Sequence, residues 1–158
     1  MKSYIFKLGV IIPVTVVVII TFYMMVFRTK PVATGPQMIV LIKDISWNVE
    51  LAQTLPERVK GLSGRDSLAK NSGMLFVFPQ PAREVFWMKG MSFSLDIIWI
   101  SEGKIVEITK NAQPLNDISN PVSYKPKAPV DMVLEINAGQ VDQYGIKIGD
   151  TVNTILKT

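Results

Sequence analysis

Apolar residues fall along this chain in three patterns, and each predicts a different element. Residues 8–27, LGVIIPVTVVVIITFYMMVF, carry no charge. At ~1.5 Å per helical residue such a run matches a hydrocarbon core roughly 30 Å thick. It has no polar face to give to water, so residues 1–28 read as an N-terminal transmembrane anchor. The alternative, a cleaved signal segment, has an apolar region of roughly 7–15 residues followed by small ones, whereas this run ends in Tyr23, Met24, Met25, Val26 and Phe27. Residues 29–37, with two prolines and one glycine, read as a tether. Residues 38–158 then suffice for one domain with a real core and are too few for two.

The second pattern is strict alternation. Ile45, Trp47, Val49 and Leu51 stand between polar neighbours, as in a half-buried strand. The third is a nearly continuous apolar run over residues 73–100, GMLFVFPQPAREVFWMKGMSFSLDIIWI, interrupted at discrete points by Arg83, Lys89 and Asp96. Strands are predicted over residues 38–43, 45–51, 73–78, 85–89, 95–100, 105–110, 130–137 and 151–156. Thr54-Leu55-Pro56-Glu57 has the form of a capping box with proline in the first turn, which predicts a short helix ahead of Gly61. Short strands with glycine and proline punctuation give a mainly β fold class, a small sandwich or barrel-like domain with one or two short helices.

A hairpin between residues 85–89 and 94–100 would place Arg83, Val85, Trp87, Lys89, Ser94, Asp96 and Ile98 on one face. Phe86, Met88, Leu95, Ile97 and Trp99 would lie on the other. Continued through a two-residue turn at Glu102-Gly103, the second face takes Val106 and Ile108. One bulge would break this register. A mixed face of this kind fits a pocket with an apolar wall and a few convergent polar groups.

Charge changes the picture less than it first suggests. The formal net charge is +4, but Lys2, Lys7, Arg28 and Lys30 account for all of the excess, and residues 31–158 are balanced. Basic residues flanking an apolar span report topology rather than a phosphate-binding surface, so nucleic acid is not an expected partner. The bias between Lys2, Lys7 and the α-amino group on one side and Arg28 and Lys30 on the other is slight; the N-terminus is placed inside and the domain on the extracytoplasmic side of the cell membrane. The chain has no cysteine and no histidine. That removes thiol catalysis, disulfides, the usual zinc ligands and the commonest general base. No acidic loop has the ligand spacing that a hard cation needs. Neither metal nor cofactor is expected.

Arg58-x-x-Gly61-Leu62-x-x-Arg65, Gly73-Met74-Leu75-Phe76, Phe86-Trp87-Met88-Lys89, Leu95-Asp96, Val133-Leu134-Glu135, Ala138-Gly139 and Gly145-Ile146-x-x-Gly149-Asp150 together resemble the bacterial and archaeal family of domain of unknown function 192. The order and spacing of the motifs carry the resemblance, over roughly two thirds of the chain. It implies a small, mainly β, often exported domain with no activity established for the family as a whole. In most relatives the Trp-Met-Lys is followed by Asn-Thr and the Leu-Asp is preceded by proline; here Gly90-Met91 and Ser94 stand there.

Six residues are candidates for ligand binding: Arg58, Arg65, Trp87, Lys89, Asp96 and Glu135. Each also has a structural reading. Asp96 serves as ligand acceptor or acid/base group, or is held by backbone N–H groups with Lys89 as its cation. Trp87 stacks on a ligand or packs in the core. Arg58 and Arg65 clamp an anion, or pair with Glu57, Asp66 or more distant acids. Glu135 shares a face with Val133, opposite Met132, Leu134 and Ile136; its carboxyl either leans inward towards a ligand or stands on the surface. Three functions remain open. The first is a membrane-anchored domain binding a small polar ligand, a saccharide or carboxylated metabolite. The second is a carboxylate-based hydrolase using Asp96 with Glu135, and the third a protein-interaction or assembly domain.

Overall fold

The computed structural model describes residues 37–115 and 122–157; the expected anchor and most of the tether lie outside them. Among the described residues, no helix is long and apolar enough to cross a membrane. The chain runs β1 (Gln37–Ile42), β2 (Ile45–Ala52), α1 (Leu55–Lys60), β3 (Ser72–Ala82), β4 (Phe86–Trp87), β5 (Leu95–Ser101), β6 (Lys104–Ala112), β7 (Ser123–Tyr124), β8 (Val130–Asn137), α2 (Gln140–Gln143) and β9 (Val152–Leu156). The fold is mainly β with two short helices, as the punctuation of the sequence predicts.

Seven strands form one mixed sheet in the order β6-β5-β8-β3-β2-β1-β9. Only β2 and β3 are parallel, and α1 with its following loop makes that crossover. The two ends of the sheet meet: Lys104 bridges Thr151, and Ile105 N donates to Asp150 O at 3.0 Å while Val152 N donates to Gly103 O at 2.8 Å. This joins the strands into a barrel-like ring rather than the two facing sheets of a sandwich.

Every strand of the ring sends apolar side chains inward. Val40, Ile42, Trp47, Val49, Leu51, Leu75, Ile98, Ile100, Ile105, Leu134, Ile136 and Val152 form the interior cluster, with Val141 of α2 and Ile146 closing one end. Alternation puts the other side chains of β3, β5 and β8 outside, and there Met74, Phe76, Phe78, Leu95, Ile97, Trp99 and Val133 form a second cluster, capped by Leu62 and Met88. These three strands are covered on both faces, which is why their sequences read as continuous apolar runs instead of alternating ones. β2 has the expected alternation in its first half, with Trp47 and Val49 buried and Ser46 and Asn48 exposed. Gly73 lies where the strands crowd: a Cβ there would sit 2.6 Å from Glu135 O.

The predicted hairpin does not form. β4 is only two residues long and pairs with β7, while β5 pairs with β6 and β8. The grouping of Phe86, Met88, Leu95, Ile97 and Trp99 nonetheless survives, because β4 folds over the outer face of β5 and its apolar side chains meet those of β5. Phe86 packs edge-on between Phe76 and Trp99, with ring centroids 4.9 and 5.3 Å away. The turn at Glu102-Gly103 forms with positive φ at both positions, 51° and 69°. A register shift between Trp99 and Ile100 then puts Ile105 and Ile108 together on the interior cluster and leaves Val106 exposed, so neither Val106 nor Ile108 is on the face assigned to it.

Candidate functional site

A cavity of about 260 Å³ opens on the outer face of the barrel, between α1, the segment 84–88 and the outer side chains of β3, β5 and β8. Its wall on one side is α1. The capping box forms as the sequence predicts: Glu57 N donates to Thr54 Oγ1 at 3.4 Å, and Glu57 Oε2 accepts from Gln53 N and Thr54 N, each at 2.9 Å. These bonds hold the Glu57 carboxyl below its ordinary value. No residue of α1 is buried; the helix stands on the surface, and Leu55, Arg58 and Val59 line the cavity mouth. Gly61, at φ 49°, then turns the chain so that Leu62 enters the outer core.

The opposite wall is the segment carrying Glu84, Val85, Phe86, Trp87 and Met88. Two hydrogen bonds tie it to the chain after α1: Ser63 Oγ donates to Lys89 O at 2.9 Å, and Gly64 N donates to Gly90 O at 2.8 Å. Gly90 has φ 71°, a conformation glycine adopts without strain. The aromatic wall comes from Phe76 and Phe78, with Trp87 at the mouth, 55% exposed.

Glu135 also lines this cavity. Its position on β8 lies between Met74 of β3 and Ile97 of β5, both members of the outer apolar cluster, and the residue is only 5% exposed. Among the described residues its carboxyl takes part in none of the hydrogen bonds or ion pairs. Burial alone pushes it up to about 8, so at neutral pH it is mostly the protonated acid, able both to donate and to accept.

The structure gathers three of the six candidates, Arg58, Trp87 and Glu135, around one cavity. Lys89 stands just outside, its Nζ 6.0 Å from the Trp87 ring centroid. Arg58 lies over Phe78 at 5.5 Å and donates to Gln53 O.

The other two lie elsewhere. Arg65 makes a two-pronged ion pair with Glu50, at 2.5 and 2.7 Å, the distant acid rather than neighbouring Asp66, and the bond to Glu50 pushes its guanidinium further up. Asp96 faces the barrel interior, opposite Ile136, and is 1% exposed. Its two oxygens accept from Asn111 N and Val141 N, each at 2.9 Å. The expected backbone anchoring of Asp96 is present; the expected Lys89 partner is not, because β4 and β5 are not paired. Arg83 finds its partner in Pro126 O at 2.9 Å.

Asp96 and Glu135 therefore project to opposite faces of the sheet and share no cleft, so these two residues do not form a carboxylate pair. The acid that does share the cavity with Glu135 is Glu84. Among the described residues no acidic cluster could hold a metal ion.

Reasoning from sequence passes over Leu55, Val59, Phe76, Phe78 and Glu84. The apolar Leu55 and Val59, one turn apart on a helix with no buried face, are the signal that was present. Phe76 and Phe78 read simply as core.

The family profile DUF192, described as an uncharacterised ACR, matches residues 38–154. A protein of unknown function from Novosphingobium aromaticivorans DSM 12444 has a similar structure, with a TM-score of 0.71 and 32% identity over 78% of this chain and 89% of its own. A second, described as a candidate transcription regulator from Sinorhizobium meliloti 1021, has a TM-score of 0.67 and 31% identity over 75% of this chain and 92% of its own. Among curated proteins, none matches.

Proposed function

The chain belongs to the DUF192 family, and for this member we propose a membrane-anchored, extracytoplasmic domain that binds a small ligand in the cavity above Glu135. The observation that carries the reading is the Glu135 carboxyl, on a residue only 5% exposed and without a hydrogen-bond partner among the described residues, at a largely apolar wall. A pocket with an apolar lining and few polar groups is the usual form of a small-molecule site. The lining narrows the two ligand classes expected from sequence. A saccharide needs many hydrogen-bonding partners, and Phe76, Phe78, Phe86, Met88 and Leu95 offer none; the cavity suits a compact apolar body with one polar head. Arg65, committed to Glu50, has no part in it.

Ligand panels applied to the full-length chain in lipid nanodiscs should shift the emission of half-exposed Trp87 and raise the melting temperature. Val59→Trp, at an exposed position of the cavity mouth, should abolish both responses. A panel that moves neither signal in the parent chain would remove the binding-site reading and favour the interaction-domain alternative.

Attachment to the membrane rests on residues 8–27, long and apolar enough to span. The full-length protein should stay with the membrane through alkaline carbonate washing, and protease added outside intact inner membranes should digest the domain. Release by carbonate, or protection of the domain, would overturn the anchor or the orientation respectively.

A further inference from the structure

We propose that the ligand of this cavity is an organic cation, a small ammonium compound with an apolar body, whose charged head is paired with the Glu135 carboxylate. The proposal rests on the binding-site reading above and names the ligand class for it. Few polar partners are free on the wall around Glu135. Ser63 Oγ, Gly61 N and Gly64 N, donors on the chain that lines or adjoins the cavity, are already committed to Lys89 O, Glu57 O and Gly90 O. On β8 and its neighbours β3 and β5 an anionic head at Glu135 would meet no cation; the cations of the lining, Arg58 and Lys60, stand on the surface helix α1 that walls the cavity. An ammonium head would find a carboxylate and form a charge-assisted hydrogen bond, the stronger kind.

The wall itself favours a cation. Phe76, Phe78, Phe86 and Trp87 line the cavity, and aromatic faces carry negative potential that attracts cations. Two of these rings already do so within the protein: Arg58 lies over Phe78 and Lys89 over Trp87. The cavity, about 260 Å³, falls just below the roughly 300–1,000 Å³ typical of drug-sized sites, which fits a monocyclic or short-chain amine.

The charged groups around Glu135 can be named element by element. α1 contributes Arg58 and Lys60, and the segment before β4 contributes Glu84. β3 and β5, on either side of β8, present Met74, Phe76, Phe78, Leu95 and Ile97 and no charge on this face. Binding is a balanced exchange: the neutral acid gives its proton to solvent, and the carboxylate left behind pairs with the ammonium ion. Because burial holds the empty site's carboxyl at about 8, affinity should climb by roughly tenfold per pH unit from pH 6 towards 8.

Three matched probes test this by calorimetry on the full-length chain in nanodiscs: phenethylammonium, 2-phenylethanol and 3-phenylpropanoate, in phosphate and in Tris at pH 7. Phenethylammonium should bind at least tenfold more tightly than the other two, with close to one proton released. Glu135→Gln should weaken it by tenfold or more and leave 2-phenylethanol unchanged, with the fold of the variant verified by its melting curve. If the alcohol or the anion binds as well as the amine, or the amine is indifferent to Glu135→Gln, the cation assignment falls while the binding site stands. If none of the three binds and Val59→Trp changes nothing, both readings fall together.

Discussion

Glu135→Gln is expected to stabilise this domain at alkaline pH and to change little at pH 4.5. In the folded protein burial pushes the carboxyl up to about 8, from an ordinary value of 4.5. Between those two values the unfolded chain has lost the proton and the folded chain keeps it, so the unfolded state binds fewer protons and stability falls as pH rises. The contribution is fully present below about 4.5 and is lost as pH climbs through about 8. At ~1.36 kcal/mol per pKa unit, the loss amounts to roughly 5 kcal/mol once pH exceeds 8. Glutamine has the same shape and no proton to lose, so the variant should melt roughly 10 °C above the parent at pH 8.5. Glu57 and Asp150, whose carboxyls backbone N–H groups hold below their ordinary values, act in the opposite sense at acid pH and are common to both proteins. The difference between the two melting profiles therefore isolates Glu135. Parallel profiles from pH 4.5 to 8.5 would mean that water or another group satisfies the carboxyl in solution.

Asp96→Asn is expected to be among the most damaging isosteric changes in the barrel. The two carboxylate oxygens accept from Asn111 N at the end of β6 and from Val141 N in the first turn of α2. The residue is 1% exposed. An amide keeps one acceptor and turns its NH₂ group towards a second N–H donor, leaving one backbone donor unsatisfied in the interior. Losing a hydrogen bond to a charged acceptor and stranding its partner costs roughly 2–4 kcal/mol. Urea titration should show the midpoint moving down with little change in slope, and hydrogen exchange at Val141 should accelerate more than in the distant β1. A loss below about 1 kcal/mol would show that Asn111 and Val141 find other acceptors and that Asp96 is free for another task.

These two acids look alike in the sequence. Each is a lone carboxylate in an apolar strand, Leu95-Asp96-Ile97 and Leu134-Glu135-Ile136, and alternation states which neighbours each shares a face with. It does not state which face is the barrel interior, because both faces of β5 and β8 are covered. That is settled by the partners of β5. A two-residue loop fixed the β5–β6 turn locally, whereas the pairing of β5 with β8, and of β4 with β7, joins segments far apart in the chain. The hairpin expected over residues 85–100 failed for this reason: proximity in sequence favours it, but folding Phe86 and Met88 onto Leu95, Ile97 and Trp99 buries the same apolar groups without backbone pairing.

What the sequence determined by itself was local. The capping box at Thr54 and Glu57, the turn at Glu102-Gly103, the alternation of Trp47 and Val49 and the mainly β class all depend on residues a few positions apart, whose steric and hydrogen-bonding preferences act before any long-range contact forms. The tertiary structure decided what lay between distant segments. It closed the ring through Lys104 and Thr151, sent Arg65 to Glu50, gave Asp96 to the backbone, and set Glu135 beneath an aromatic wall drawn from β3 and β4, faced by α1. A carboxyl's environment depends on which side chains replace its water, and those come from strands whose neighbours only the closed sheet selects.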